Sequence, residues 1–329
     1  MFKSLNTWLP GYLRHRARPQ PPVTGLRHLV VCLADHFEPF RGGIPAPEAR
    51  AIVRDWVETY PRVVHSLRDG DGQPPRHTFF YPAENYDPAC LDWLGSLCSC
   101  GLGEVEIHLH HRNDTAEGLR RKLETFRNQL RDGHGFLGAD AGDTPRYGFI
   151  HGNWALCNSR PDGDWCGVNE ELGVLKTTGC YADFTFPSAP SPTQPRTINA
   201  LYYARDRSGK PRGHDRGIPV EVCGMGKENG SVRVGECGCR GDGGNETTKD
   251  FPSELVTDSR KPITDASLML ITGPLALNWR RRKWGIFPRL ENGEINAVNP
   301  PTPDRIRLWA RQAIQVQGRP EWIFIKIHT

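Results

Sequence analysis

Seven short apolar runs, most of them rich in β-branched or aromatic residues, divide the chain. They fall at residues 29–33, 77–81, 105–109, 146–150, 180–186, 267–272 and 322–327. Most are continuous rather than alternating, the pattern of strands buried on both faces of a parallel sheet. Helical stretches separate several of them. The clearest runs from Thr115 to about Arg131. Thr115 is a fair N-cap, Glu117 sits in the first turn where the helix dipole favours it, and Leu119, Leu123, Phe126 and Leu130 share one face before Gly133 stops the pattern. Further helices are predicted at 47–67, 88–97, 168–178 and 303–316. Alternating strands and helices predict βα units in a closed or doubly wound α/β fold, and seven strands favour a barrel one unit short of the TIM type.

Two regions fall outside this pattern. Residues 1–25 carry Arg14, His15, Arg16 and Arg18 ahead of Pro19, Pro21 and Pro22, and read as a flexible basic leader. Residues 202–265, between the fifth and sixth strands, are rich in Gly, Lys, Arg and Asp, with Gly241-Asp-Gly-Gly near the middle. Structureless loops of that length are rare in compact domains. This stretch is therefore expected to be an irregular insertion with some strand of its own, at 219–222 and 231–234. Residues 26–329 otherwise show no sharp boundary and read as one domain.

Composition narrows the function little. The chain has 329 residues, 37% hydrophobic and 24% charged, with a net charge of +4. That balance gives no argument for nucleic acid. The local run Arg280-Arg-Arg-Lys reads as a solvated loop, with an anion or lipid site as the alternative. No stretch approaches the roughly 20 apolar residues of a spanning helix. The N-terminus lacks the apolar core and cleavage site of a secretory signal. Cys98/Cys100 and Cys237/Cys239 have C-x-C spacing, unlike zinc ribbons. Reduced thiols and a cytoplasmic setting, with contact to the inner membrane face as an option, are the expectation.

Chemistry gathers where the strands end. In an α/β barrel the working face lies at the C-terminal strand ends. The first strand offers Asp35, His36 and Glu38, and the second Glu84 and Asn85. The third, Glu104-Val-Glu-Ile-His-Leu-His-His, supplies His108, His110 and His111, with Asp114 close behind. His108 and His110 should share a face, because side chains alternate along a strand. The fourth gives His151, Asn153 and Trp154, the sixth Asn278 and Trp279, and the seventh His328. Imidazole, carboxylate and indole are the groups that bind metals, move protons and stack on sugars.

At these residues the chain resembles the polysaccharide deacetylases of the NodB-homology type. The resemblance extends to the runs Cys166-Gly-Val-Asn-Glu-Glu-Leu, Tyr181-Ala-Asp-Phe-Thr-Phe-Pro and Gly273-Pro-Leu-Ala-Leu-Asn-Trp-Arg, which look like an uncharacterised bacterial branch. It implies a distorted seven-stranded (β/α) barrel and hydrolysis of the acetamide of an N-acetylated saccharide. A divalent metal is implied, with Zn²⁺ the expected ion. Asp35 matches the family's metal-binding Asp, the cluster His108, His110 and His111 its two-histidine site, with Asp114 beside it, and His328 its general acid. His36, Asn85, His151, Asn153, Trp154, Asn278 and Trp279 are the candidates for holding substrate. The chain departs from the family pattern in three places. Ala34 stands where the family has its catalytic Asp, the second His four residues on is missing, and Thr185 replaces the Arg of an Arg-x-Pro motif. The chain also stops one residue after His328, which reads as a truncation.

The base stays open among Asp35, Glu38, Glu84 and Asp114. Two other readings stand beside the deacetylase. One is a glycoside-cleaving barrel using Asp35, Glu38, Glu84 or Asp183. The other is a member that binds glycan or metal without catalysis.

Overall fold

The computed structural model describes residues 4–18, 25, 27–222, 227–228, 231–232 and 267–329. Helix α1 (Leu5–Ala17) leads into β1 (His28–His36), α2 (Ala46–Val64), β2 (His77–Pro82), α3 (Pro88–Ser99) and β3 (Gly103–Leu109). Next come α4 (Ala116–Asn128), β4 (Tyr147–His151), α5 (Glu171–Thr177) and β5 (Cys180–Asp183). Short strands β6 (Leu201–Ala204), β7 (Gly217–Pro219), β8 (Lys227–Glu228) and β9 (Ser231–Val232) follow. The chain ends with β10 (Leu268–Ile271), β11 (Ala276–Lys283), β12 (Phe287–Glu291), α6 (Pro303–Ala310), β13 (Ile314–Val316) and β14 (Arg319–His328).

All seven expected strands form and lie parallel in the order β14-β1-β2-β3-β4-β5-β10. The closed seven-stranded barrel does not appear. The sheet has ten strands and stays open, because β13 pairs antiparallel with β14, β6 antiparallel with β10, and β7 with β6. The backbone groups that would have joined β10 to β14 are taken by β6 and β13. The sheet nevertheless curls. From β14, Lys326 Nζ reaches the carbonyl oxygens of Phe184 and Phe186 beyond β5. Gly273, just past β10, sits so close that a Cβ there would lie 3.0 Å from the Lys326 carbonyl oxygen.

Alternation along each strand sorts side chains onto two faces. Ala34, Phe80, Ile150, Ala182, Phe184 and Ile271 pack together on the concave face. Phe79, Tyr81, Val105, Ile107, Leu109, Tyr147 and Phe149 pack on the other face against Leu91, Leu94, Leu119, Leu123 and Phe126 of the helices. Helix α4 matches its sequence signals: Thr115 accepts from Gly118 N at 3.0 Å, and Leu119, Leu123 and Phe126 are buried.

Three expectations need correction. The stretch predicted as a flexible leader contains α1, whose Trp8 and Tyr12 are buried with Ile198, Leu275 and Ala276. Gly11 allows this docking, since a Cβ there would come within 2.2 Å of the Arg196 carbonyl oxygen. The helix expected over 303–316 ends at Ala310, and Ile314–Val316 becomes an edge strand. A buried Arg305–Glu291 pair, with Trp309 Nε1 donating to Glu291 at 2.9 Å, fixes α6 against β12. The insertion contributes β6 and β7 to the main sheet and a β8–β9 ribbon. The expected strand at 231–234 is described only at Ser231–Val232. Gly241–Gly244, Cys237, Cys239, Pro19, Pro21 and Pro22 lie outside the described residues. Among the described residues, no helix is long and apolar enough to cross a membrane.

Candidate functional site

The strand-end histidines fall into two groups, one on each face of the sheet. On the concave face, at the C-terminal ends of β1, β3 and β14, stand His36, His108, His110 and His328. The His36 ring centroid lies 5.1 Å from those of both His108 and His328, and His108 lies 4.6 Å from His110. Glu38 faces them, with Oε1 3.5 Å from His108 Nε2 and 3.7 Å from His110 Nε2. Glu84 receives a hydrogen bond from His110 Nδ1 and another, at 3.3 Å, from the His110 backbone N–H. The exposed indole of Trp154 approaches His36 edge-on at 6.0 Å.

Buried without hydrogen-bond partners are His36 Nε2 and both ring nitrogens of His108. Burial holds His36 down to about 3 and His108 well below the ordinary histidine value, so both are neutral and offer lone pairs. His328 is lowered for the same reason, and its Nε2 lies 3.1 Å from the Phe184 carbonyl oxygen. Burial also depresses His110, but its hydrogen bond to Glu84 outweighs that and raises it. Burial raises Glu38. Gly152 lets the histidines pack closely against the loop after β4: a Cβ there would sit 2.4 Å from both His108 Nε2 and His110 Cδ2. His36, Glu38 and His108 bring their ligand atoms within 4.8 Å of one another. Two imidazoles and a carboxylate, with unpartnered nitrogens among them, could hold a metal ion.

His111 points the other way, into the layer between sheet and helices. There it meets His151 of β4, at a ring-centroid distance of 4.5 Å, with Glu171 at the start of α5 and Cys166. Glu171 Oε1 lies 3.2 Å from His111 Nε2 and 3.8 Å from His151 Nε2. Its Oε2 accepts from Cys157 N at 2.6 Å and from Cys166 Sγ at 3.3 Å. All four residues are buried and could hold one metal ion. Burial lowers His151 to about 3 and pushes the Cys166 thiol up. His111 would also be lowered by burial, but Asp114 and Glu171 raise it to about 9. Asp114 stands beside the group rather than inside it, 3.5 Å from His111 Nδ1 and bound by Lys122 Nζ at 2.6 Å.

Asp35 joins neither group. It faces the helix layer, where its carboxylate meets His77 Nε2 at 2.8 Å beneath Trp56. Its expected roles as metal ligand and as base alongside the histidines therefore lack geometric support. The phase of β1 explains this: Ala34 and His36 face inward, so Asp35 between them faces outward. The candidate substrate residues are also dispersed. Asn153 ties the loop after β4 to the buried group, donating Nδ2 to the His111 carbonyl at 3.0 Å and its backbone N–H to His151 Nδ1 at 3.2 Å. Asn85 is half-buried on the turn Ala83–Asn85, where its carbonyl accepts from Tyr81 OH. Asn278 and Trp279 line a separate groove with Tyr12, Leu308 and Arg311. Asp183 is buried and held by Thr185 Oγ1 at 2.6 Å.

Sequence reasoning missed Cys166 and Glu171 as functional candidates. Both lie in the run quoted above for its resemblance, but neither sits at a strand end. Comparison of the chain with family models, with curated proteins and with solved structures returned no match.

Proposed function

We propose that this protein is a divalent-metal-dependent hydrolase that works at the concave strand-end site and removes acyl groups from an N-acetylated carbohydrate. One observation carries the reading: the buried, unpartnered nitrogens of His36 and His108 lie with the Glu38 carboxylate within 4.8 Å of one another. His36, Glu38 and His108 would hold the metal. When bound, it would supply an electrophile for the carbonyl and lower the pKa of water.

The remaining residues suit the proton traffic of amide hydrolysis. His110 Nε2 faces the site while its Nδ1 bonds Glu84. A proton taken at Nε2 is then stabilised as imidazolium by the carboxylate behind it. This pairing answers the missing acid at Ala34 better than Asp35 or Asp114, which sit elsewhere. His328 packs against His36 at 5.1 Å with its Nε2 on the Phe184 carbonyl, and burial holds it neutral, so the His110 imidazolium suits protonation of the leaving amine better. Trp154, held at a φ of 52°, presents an exposed indole at the rim, where a sugar face could stack. A setting at the face of an anionic membrane is supported by the exposed β11–β12 ribbon, where Arg280 and Lys283 flank exposed Trp279 and Trp284.

The glycoside-cleaving reading draws less support. Of its carboxylates, Asp35 is turned away, Asp183 is tied to Thr185, and Glu38 and Glu84 both engage His110. The outward-facing Asp35 favours the non-catalytic reading as runner-up. Product analysis with N-acetylated oligosaccharides separates the three. Acetate released only with divalent metal supports the proposal. New reducing ends, or tight binding without turnover over every metal tried, would replace it.

A further inference from the structure

We infer that His111, His151, Cys166 and Glu171 form a second metal site, a buried structural centre of zinc type that pins the end of β3 to β4 and the start of α5. This inference does not depend on the proposed activity, because none of its four side chains reaches the concave face.

The spacing suits the chemistry. In a tetrahedral zinc site, bonds of about 2.0–2.2 Å to nitrogen or oxygen and about 2.3 Å to sulfur place ligand atoms about 3.3–3.7 Å apart. Here Glu171 Oε1 lies 3.2 Å from His111 Nε2 and 3.8 Å from His151 Nε2, its Oε2 lies 3.3 Å from Cys166 Sγ, and one ligand atom from each of the four residues falls within 4.8 Å of the others. Two imidazoles, a thiol and a carboxylate complete a four-ligand set with no position left for substrate. That is the mark of a structural rather than a catalytic centre.

Burial supplies a second argument. The side chains of His111, His151 and Glu171 have no solvent exposure, and Cys166 is 0% exposed. A buried carboxylate needs a counter-charge, and the ion-pair partners of Glu171 are these same two imidazoles. Protonated His111 could balance the charge alone. His151 Nε2 would then stay buried without a hydrogen-bond partner, as it is here. A cation would engage that nitrogen, the carboxylate and the sulfur together once the His151 proton moves to Nδ1 and the bond from the Asn153 N–H is released. On binding, Cys166 loses its thiol proton to solvent and its hydrogen bond to Glu171 becomes a metal–sulfur bond.

The outer shell is partly built. Asp114 flanks His111 and Cys157 N donates to Glu171 at 2.6 Å, whereas the Asn153 backbone N–H donates to His151 Nδ1 at 3.2 Å, a bond that must give way when Nε2 of that ring takes a metal. Such partners fix the orientation of metal ligands. Gly167 lets the Cys166 loop close over the site. It has a φ of 96°, and a Cβ there would come within 2.7 Å of the Asp114 backbone.

Cobalt(II) substitution of the full-length protein tests the inference, because only a thiolate site gives a sulfur-to-cobalt charge-transfer band in the near ultraviolet. The band is expected in the unaltered protein and in a His36→Ala/Glu38→Gln variant, which loses only the concave-face ligands. It is expected to vanish in Cys166→Ala, with the loss of one bound equivalent. His151→Ala should weaken cobalt binding by roughly tenfold or more. No band in the unaltered protein overturns the inference even if the Cys166 variant fails to fold. A band that survives Cys166→Ala overturns it as well.

Discussion

His110 and His111 are adjacent in the chain and serve opposite faces of the sheet. His110 bonds Glu84 and faces Glu38 on the concave side, whereas His111 bonds Glu171 among buried groups on the helix side. One peptide unit at the end of β3 therefore separates the open site from the buried one. Gly152 on the neighbouring loop has its amide bonded to the Leu109 carbonyl at 2.9 Å, which seats that loop beside the turn between the two.

Gly152→Ala tests how tightly the open site is built. The added methyl would clash with His108 Nε2 and His110 Cδ2, both 2.4 Å from the ideal Cβ position. Overpacking of this kind costs about 1–3 kcal/mol. Expected is a folded protein with a modestly lower melting temperature and a loss of metal affinity of roughly tenfold or more, read by competition with a chromogenic chelator. Unchanged affinity would mean that His108 and His110 do not border the ion.

Glu84→Gln tests the proton relay. The amide can still accept from His110 Nδ1 but no longer stabilises an imidazolium. A fall in kcat of about 10²-fold with little change in KM is expected, as for loss of general base assistance. Because Glu84 is partly exposed, melting temperature should hardly move. A variant with full kcat would assign the base elsewhere.

Stability should depend on pH in part through His214, which lies behind the buried group, within electrostatic range of Glu171. It is buried, stacked on Phe186 at 4.9 Å, and its Nδ1 has no hydrogen-bond partner. Burial lowers it from 6.5 to about 4. The unfolded chain binds this proton at a higher pH than the folded one, so stability is full above pH 6.5 and falls as pH drops toward 4. The loss amounts to about 3 kcal/mol. Urea unfolding across that window should show it, and His214→Asn should reduce the slope, leaving the part that buried His36 and His151 contribute. An equal slope in the variant would place the titration on another group.

Much of the scaffold was legible because burial on both faces writes a strand as a continuous apolar run. Residues 77–81 and 105–109 became β2 and β3 for that reason. The same continuity hid the phase. Residues 29–33 are apolar throughout, so nothing in the run tells which of Asp35 and His36 turns inward. Tertiary packing decides it, by seating Ala34 among Phe80, Ile150 and Phe184. Helix α1 was missed because Pro10 and a cluster of basic residues mask a stripe carried by Trp8 and Tyr12. Cys166 and Glu171 were missed as ligands because they approach His111 from a loop and a helix start, and sequence spacing carries no trace of that contact.

The most direct test replaces His36 and His108 together with Ala and follows metal content and acetate release from an N-acetylated oligosaccharide. The account predicts that this variant loses the concave-face ion and all metal-dependent release, while the thiolate band at Cys166 persists. Undiminished acetate release by the double variant would contradict it.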